Sequence, residues 1–195
     1  MRYIQKQYHI LWIVTICFIA LLVQPVTSMA QIYKSKHGHV QFFSKSTLEN
    51  FTGRSNYLVG QINLADSTVQ FYVDLTTIST GVKLRDEHMR EEYLQTDKYP
   101  FAQFSGKIVS PFNPASTDTQ QVIVKGKFKV HGVTRQISVK GSMVVTPQKL
   151  FVKAAWPVML KDYKIKIPEV LFMKVSEKQA VSIKATLDRI QKKKS

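Results

Sequence analysis

Residues Val122–Val145 read VIVKGKFKVHGVTRQISVKGSMVV, and the period of this stretch decides the fold. Val122, Val124, Gly126, Phe128 and Val130 alternate with Ile123, Lys125, Lys127 and Lys129. After His131-Gly132 the alternation resumes, with Ile137, Val139, Gly141, Met143 and Val145 on one face and Gln136, Ser138, Lys140 and Ser142 on the other. A period of two is the strand signal, and a two-residue break containing Gly is a tight reversal. The stretch therefore predicts a hairpin whose strands each have one apolar and one wet face.

The same rhythm extends in both directions. Downstream, Pro147-Gln148 breaks the second strand, and Leu150, Val152, Ala154 and Trp156 mark another that runs to Pro157. Val181, Ile183, Ala185 and Leu187 mark the last. Upstream, strands are expected at about 39–45, 52–64, 68–75 and 101–109, with Ala65-Asp66-Ser67 as a hairpin turn. One helix is expected at Val82–Tyr93, where Leu84, His88 and Met89 fall three to five apart among charged residues, and Pro100 ends the segment that follows. Residues 158–179 show no clear period, and Pro168 argues against a central strand there.

The expected fold is all-β: an eight-stranded antiparallel barrel with one short helix in a crossover. Eight strands that close on themselves leave no open edge and enclose an interior that side chains fill or that holds one small ligand. A two-sheet sandwich has the same alternation and stays open at this point.

The chain has 195 residues, 28 Lys+Arg against 13 Asp+Glu, a formal net charge of +15 and 44% hydrophobic residues. That composition suits a folded domain. Cys17 is the one cysteine, which excludes a disulfide framework and a thiolate metal cluster. Residues 1–30 contain Arg2 and Lys6 but no acid. They continue into the apolar run Ile10–Val23, shorter than the roughly 20 residues of a spanning helix, and end with Ser28 and Ala30 before Gln31. This is the order of a cleaved secretory signal peptide, so residues 31–195 are expected to be the mature domain, exported to a periplasm or secreted. Cys17 lies inside the apolar run rather than at its end, which argues against lipoprotein processing.

Several motifs occur together. They are Ile78-Ser79-Thr80-Gly81, Arg85-Asp86-Glu87-His88-Met89, Tyr93-Leu94, and Lys98-Tyr99-Pro100 followed by Phe104. Downstream come Gly126-Lys127-Phe128 and His131-Gly132-Val133-Thr134, and upstream Thr52-Gly53 and Gly60-Gln61-Ile62. In order and spacing this set resembles the YceI-like family over about residues 39–188. Tyr33–His39 departs from the family's usual opening. The resemblance implies a lipocalin-like barrel, exported, whose apolar interior binds a polyisoprenoid or similar long-chain amphiphile.

The expected ligand-binding residues are Phe42, Phe71, Arg85, Phe104, Phe128, Met143 and Trp156. Six fall on apolar strand faces that also carry Gly106, Gly126 and Gly141, small residues that either leave room for a chain or complete a packed core. Arg85 is expected at the barrel mouth, where its fork can bind phosphate or carboxylate oxygens, or can tie the helix down. Asp86 is expected to anchor the helix and His88 to pack beneath it. Two apart on a helix, Asp86 and His88 cannot pair as a catalytic dyad, and no nucleophile motif occurs, so no enzyme activity is expected.

His37 and His39 read as a solvated pair rather than a metal site, and no metal or cofactor is expected. Residues 149–195 hold 12 Lys+Arg against 4 acids, including Lys192-Lys193-Lys194. Such charge suits an anionic membrane surface; export argues against nucleic acid, and the Lys125, Lys127 and Lys129 stripe also reads as a solvated strand face. The expected partner is a long-chain lipid or isoprenoid. The alternative is a barrel packed solid that acts as an interaction protein of the cell envelope.

Overall fold

The computed structural model describes residues 31–45, 49–167 and 175–190; residues 1–30 and the Lys192–Lys194 tail lie outside them. Eight strands form one closed antiparallel barrel in chain order, with the last paired to the first. They are β1 Ile32–Ser44, β2 Phe51–Asn63, β3 Thr68–Asp74, β4 Phe101–Ile108, β5 Gln120–Val130, β6 Val133–Val145, β7 Lys149–Met159 and β8 Lys178–Arg189. Closure selects the barrel over the sandwich: β1 pairs with β2 on one side and β8 on the other, so the sheet closes on itself.

The founding hairpin forms as its alternation requires. Val130 faces Val133 across His131 (φ 51°) and Gly132 (φ 73°), and two successive positive φ values give the turn the twist of the strands it joins. Tyr99 packs on His131 at 4.8 Å, and His131 Nδ1 lies 3.1 Å from the Tyr163 carbonyl oxygen, so other elements clamp the turn from two sides.

β1 begins seven residues earlier than expected, because a pair of bulges hides its rhythm. Ser35 pairs with Gly60, Gly38 with Leu58, and Val40 with Ser55, so each strand carries one extra residue in turn. Lys36 and His37 both face out, as do Asn56 and Tyr57. In each bulge a buried serine accepts a backbone N–H two residues on: Ser35 Oγ from His37 and Ser55 Oγ from Tyr57. Bulges bend and twist the strands that carry them, as closing a small barrel demands.

The ladders are incomplete at one end. β2 pairs with β3 only from Val59 to Asn63, and β6 pairs with β7 only from Lys140 to Val145. At this upper end the wall therefore opens along two opposite seams, into β7-β8-β1-β2 and β3-β4-β5-β6. The crossover from β3 to β4 fills one seam. It carries α1 (Lys83–His88), continued by a wider π-type turn over Met89–Leu94, and Ser79 bridges to Arg54 of β2. The short 3-10 turn Leu160–Tyr163 fills the other, with Arg135 Nε donating to the Asp162 carbonyl. Pro157 sits in β7 without penalty because β7 beyond Ala155 has a neighbour only in β8.

The lower end is solid. Tyr33, Met143, Leu150 and Leu187 are at most 2% exposed and plug the barrel between β1, β6, β7 and β8. The outward face carries lysine rows, the opposite of the apolar band of a membrane-spanning barrel.

Candidate ligand cavity

Above this floor lies a cavity of about 520 Å³, lined by residues from the inner faces of all eight strands and from the crossover. Its size falls in the range typical of small-molecule sites. All seven residues singled out from the sequence line it: Phe42, Phe71, Arg85, Phe104, Phe128, Met143 and Trp156.

Glycines explain why such large rings leave space. A Cβ on Gly60 would collide with the Phe71 ring, and one on Gly53 with the Phe42 ring. Both rings therefore lie against the β2 backbone instead of crossing the barrel axis. Gly106 and Gly126 face each other across β4 and β5, next to the Phe104–Phe128 pair. A Cβ on Gly106 would stand 2.5 Å from the Lys125 carbonyl oxygen, so two inward positions contribute no side-chain volume. Phe128 is held edge-on by Trp156 at 5.8 Å and Tyr163 at 5.5 Å.

The crossover forms the rim, and its buried face differs from the expected one. Asp86 and Met89 are buried and Tyr93 half-buried, whereas His88 is exposed and Leu84 is 59% exposed. His88 thus does not pack beneath the helix; it and Leu84 border the cavity from outside. The reason is Asp86. Its carboxylate accepts from Ser79 Oγ at 2.6 Å, Thr80 N at 2.7 Å and Thr80 Oγ1 at 2.6 Å, which turns this polar residue inward. Burial is the largest influence on that carboxyl and opposes its ionisation. The donors and the Arg90 charge together outweigh burial and hold it below the ordinary aspartate value.

Arg85 stands at the mouth. Its guanidinium carbon lies 4.6 Å from the centre of the Phe51 ring, Nε donates to Thr80 Oγ1 at 3.2 Å, and Nη1 lies 3.7 Å from Glu49 Oε2. Glu49 is 79% exposed, so that ion pair is weak and open to exchange for another anion. Burial pushes the Tyr93 phenol up, and the Glu92 charge adds to it. Leu160, Ile165 and Val175 also line the cavity, from a stretch whose sequence has no readable period.

His37 and His39 both face outward, and His39 Nδ1 lies 2.8 Å from Asn56 Oδ1. Among the described residues no three His, Cys, Asp or Glu side chains come together as a metal site.

The chain is 29% identical over 121 residues to UPF0312 proteins of Vibrio parahaemolyticus and Vibrio campbellii, covering 57% of this chain and 60% of each relative's length. Among solved structures it is similar to a polyisoprenoid binding domain from Saccharophagus degradans implicated in plant cell wall breakdown. There the TM-score is 0.67 at 17% identity, over 83% of this chain and all of that one. Burkholderia cenocepacia BcnA gives 0.64 at 14%, over 76% of this chain and 95% of that one. A Campylobacter jejuni YCEI protein gives 0.53 at 14%, over 75% and 85%. At such identities the structures speak for the fold. The sequence profile of the YceI-like domain matches residues 32–187, the stretch that holds the crossover motifs and all eight strands up to Leu187, and the chain belongs to that family.

Proposed function

We propose that this protein is an exported carrier that holds one long-chain isoprenoid or similar amphiphile, non-covalently, in the barrel. The observation that carries the reading is the cavity itself, about 520 Å³, walled by hydrocarbon and aromatic side chains above a solid floor. Moving a chain from water into such a space is favourable by about 0.8 kcal/mol per CH₂. The apolar tail points toward the floor and the head group toward the rim, where Arg85 exchanges Glu49 for a phosphate or carboxylate of the guest. The seven lining residues Phe42, Phe71, Arg85, Phe104, Phe128, Met143 and Trp156 are the proposed contacts. Support also comes from the family and from the Saccharophagus domain, which is named for polyisoprenoid binding. The role is binding, not catalysis: the Asp86 carboxylate is engaged by Ser79 and Thr80 and turned away from His88. A barrel packed solid does not fit this interior.

Protein purified from its natural host is expected to release a long-chain lipid on organic extraction, seen by mass analysis, and native mass spectrometry should show one guest per chain. Ala154→Leu, which fills part of the cavity with hydrocarbon, should weaken rebinding by about tenfold or more. Recovery without lipid, together with no binding of any long-chain amphiphile, would overturn the carrier role. Removal of residues 1–30 is checked by the mass of the exported protein, which should begin at Gln31.

A further inference from the structure

We infer that the outer wall of β5–β8 is a docking face for an anionic phospholipid bilayer. The inference stands on the outside of the barrel and is independent of what the cavity holds. The outward, exposed positions of these four strands carry eight lysines against one carboxylate, Asp188, which Lys149 approaches at 3.8 Å. Lysines on a strand are often explained as guards of an open edge, but Lys125, Lys127, Lys129, Lys140, Lys153 and Lys184 have strand partners on both sides and so guard no edge.

Nor are they spread to avoid one another. Lys153 of β7 stands directly opposite Lys184 of β8, and Lys125 of β5 directly opposite Lys107 of β4. Like charges in direct cross-strand register destabilise a sheet. Five acids, Asp86, Glu87, Glu91, Glu92 and Asp97, lie on the crossover at the rim, and Asp118, Asp162 and Glu177 lie in the segments beyond the ends of these strands rather than on their outward faces. The wall therefore presents a one-signed field whose complement is an anion-dense surface.

A further feature favours a bilayer over a soluble polyanion. Ile123 (37% exposed) and Phe151 (42% exposed) lie among the lysines, with Ile123 opposite Lys140 and Phe151 flanked by Lys149 and Lys153. Apolar side chains ringed by lysine match the head-group boundary, where ammonium groups meet phosphates and the apolar groups insert shallowly.

The test measures co-sedimentation of the exported protein with phosphatidylcholine vesicles, and with vesicles containing about 30% phosphatidylglycerol, at rising salt. Binding to the neutral vesicles gives the baseline for each variant. The anionic vesicles should bind more tightly, and the excess should fade as salt shortens the reach of surface charge. The double variant K125E/K153E should lose about 100-fold or more of that excess, since each lysine beside an anionic surface counts for about fivefold and inversion counts twice. Both changes create opposite-charge pairs with Lys107 and Lys184, so a urea midpoint no lower than that of the parent shows that the fold is kept. Phe151→Ser should weaken vesicle binding severalfold and leave binding to soluble dextran sulfate unchanged.

Three outcomes overturn the inference. One is no preference for anionic vesicles; another is a preference that K125E/K153E leaves intact while Leu84→Ser at the rim abolishes it. The third is binding to dextran sulfate as tight as to vesicles with no effect of Phe151→Ser.

Discussion

Asp86 is a carboxylate that the fold hides and still keeps ionised, and its three short hydrogen bonds fasten α1 to the Ser79-Thr80 strand that enters the crossover. Replacing it by Ala strands buried donors, so Asp86→Ala should cost about 2–3 kcal/mol in urea unfolding at neutral pH. The sign with pH follows from the direction of its shift. A carboxyl held lower in the folded state than its unfolded value of about 3.9 adds stability above that value and loses it as pH falls through the folded one. The gap between parent and Asp86→Ala should therefore be constant from about pH 5 to 7 and narrow below about pH 4. A gap that stays level down to pH 3 would show that the carboxylate charge plays no part.

A second change tests the wall. Gly60→Val forces the Phe71 ring off the β2 backbone toward the barrel axis. It should reduce binding of a long-chain amphiphile by about tenfold or more while costing roughly 1–3 kcal/mol of stability, read by titration and by urea. At this scale the aromatic lining was legible, because period two puts Phe71, Phe104 and Phe128 on inward faces whatever the strand order. Asp86 anchors the helix as its place in the motif led one to expect, but its depth of burial and the exposure of His88 were not legible. Hydrophobic periodicity assigns polar residues to the outside, and it cannot register a carboxylate that brings its own donors.

Among elements, the β5–β6 hairpin is the most completely specified. Gly132 combines φ 73° with a place under Tyr99, where a Cβ would meet Cε1 at 2.6 Å. Gly132→Ala should therefore cost about 1–3 kcal/mol, more than the backbone preference alone, and Tyr99→Ala in the same chain should recover part of that loss. Strictly additive costs in this double-mutant comparison would mean that the ring does not press on the turn. Regular strands announce themselves through alternation, and β3 to β6 lie close to where the sequence puts them. β1 did not, since Lys36-His37 and the matching Asn56-Tyr57 interrupt the rhythm with two outward residues in a row. The turn of the helix was misjudged for a related reason. The widened turn after His88 and the inward Asp86 shift the buried face to Met89 and Tyr93, away from Leu84 and His88.

Across the whole molecule, the quantity to measure is the coupling between guest and fold. A ligand at about 100 times its Kd that binds only the folded barrel adds about 2.7 kcal/mol, which for a chain of this size raises Tm by roughly 5–10 °C. A matched amphiphile should produce that shift, and Ala154→Leu should reduce it. A Tm that does not move under saturating amphiphile would argue against any guest in the interior. Closure itself was beyond the reach of pattern. Eight alternating strands serve a barrel and a sandwich alike, and the choice is made by the pairing of β8 with β1, between residues about 150 apart in sequence. The molecule in fact combines the two. It is closed below, and it parts above along the β2–β3 and β6–β7 seams into two facing halves with the cavity between them.

Because Tyr33, Met143, Leu150 and Leu187 stopper the lower end, the vessel formed by the described residues opens at the neck and not at the base. Under the proposed carrier role, cargo departs by the way it arrived, head group leading, with no through-flow from one end of the barrel to the other. How long a tail is accepted is then settled at the base, and how fast it is exchanged is settled at the neck, so the two properties answer to different residues.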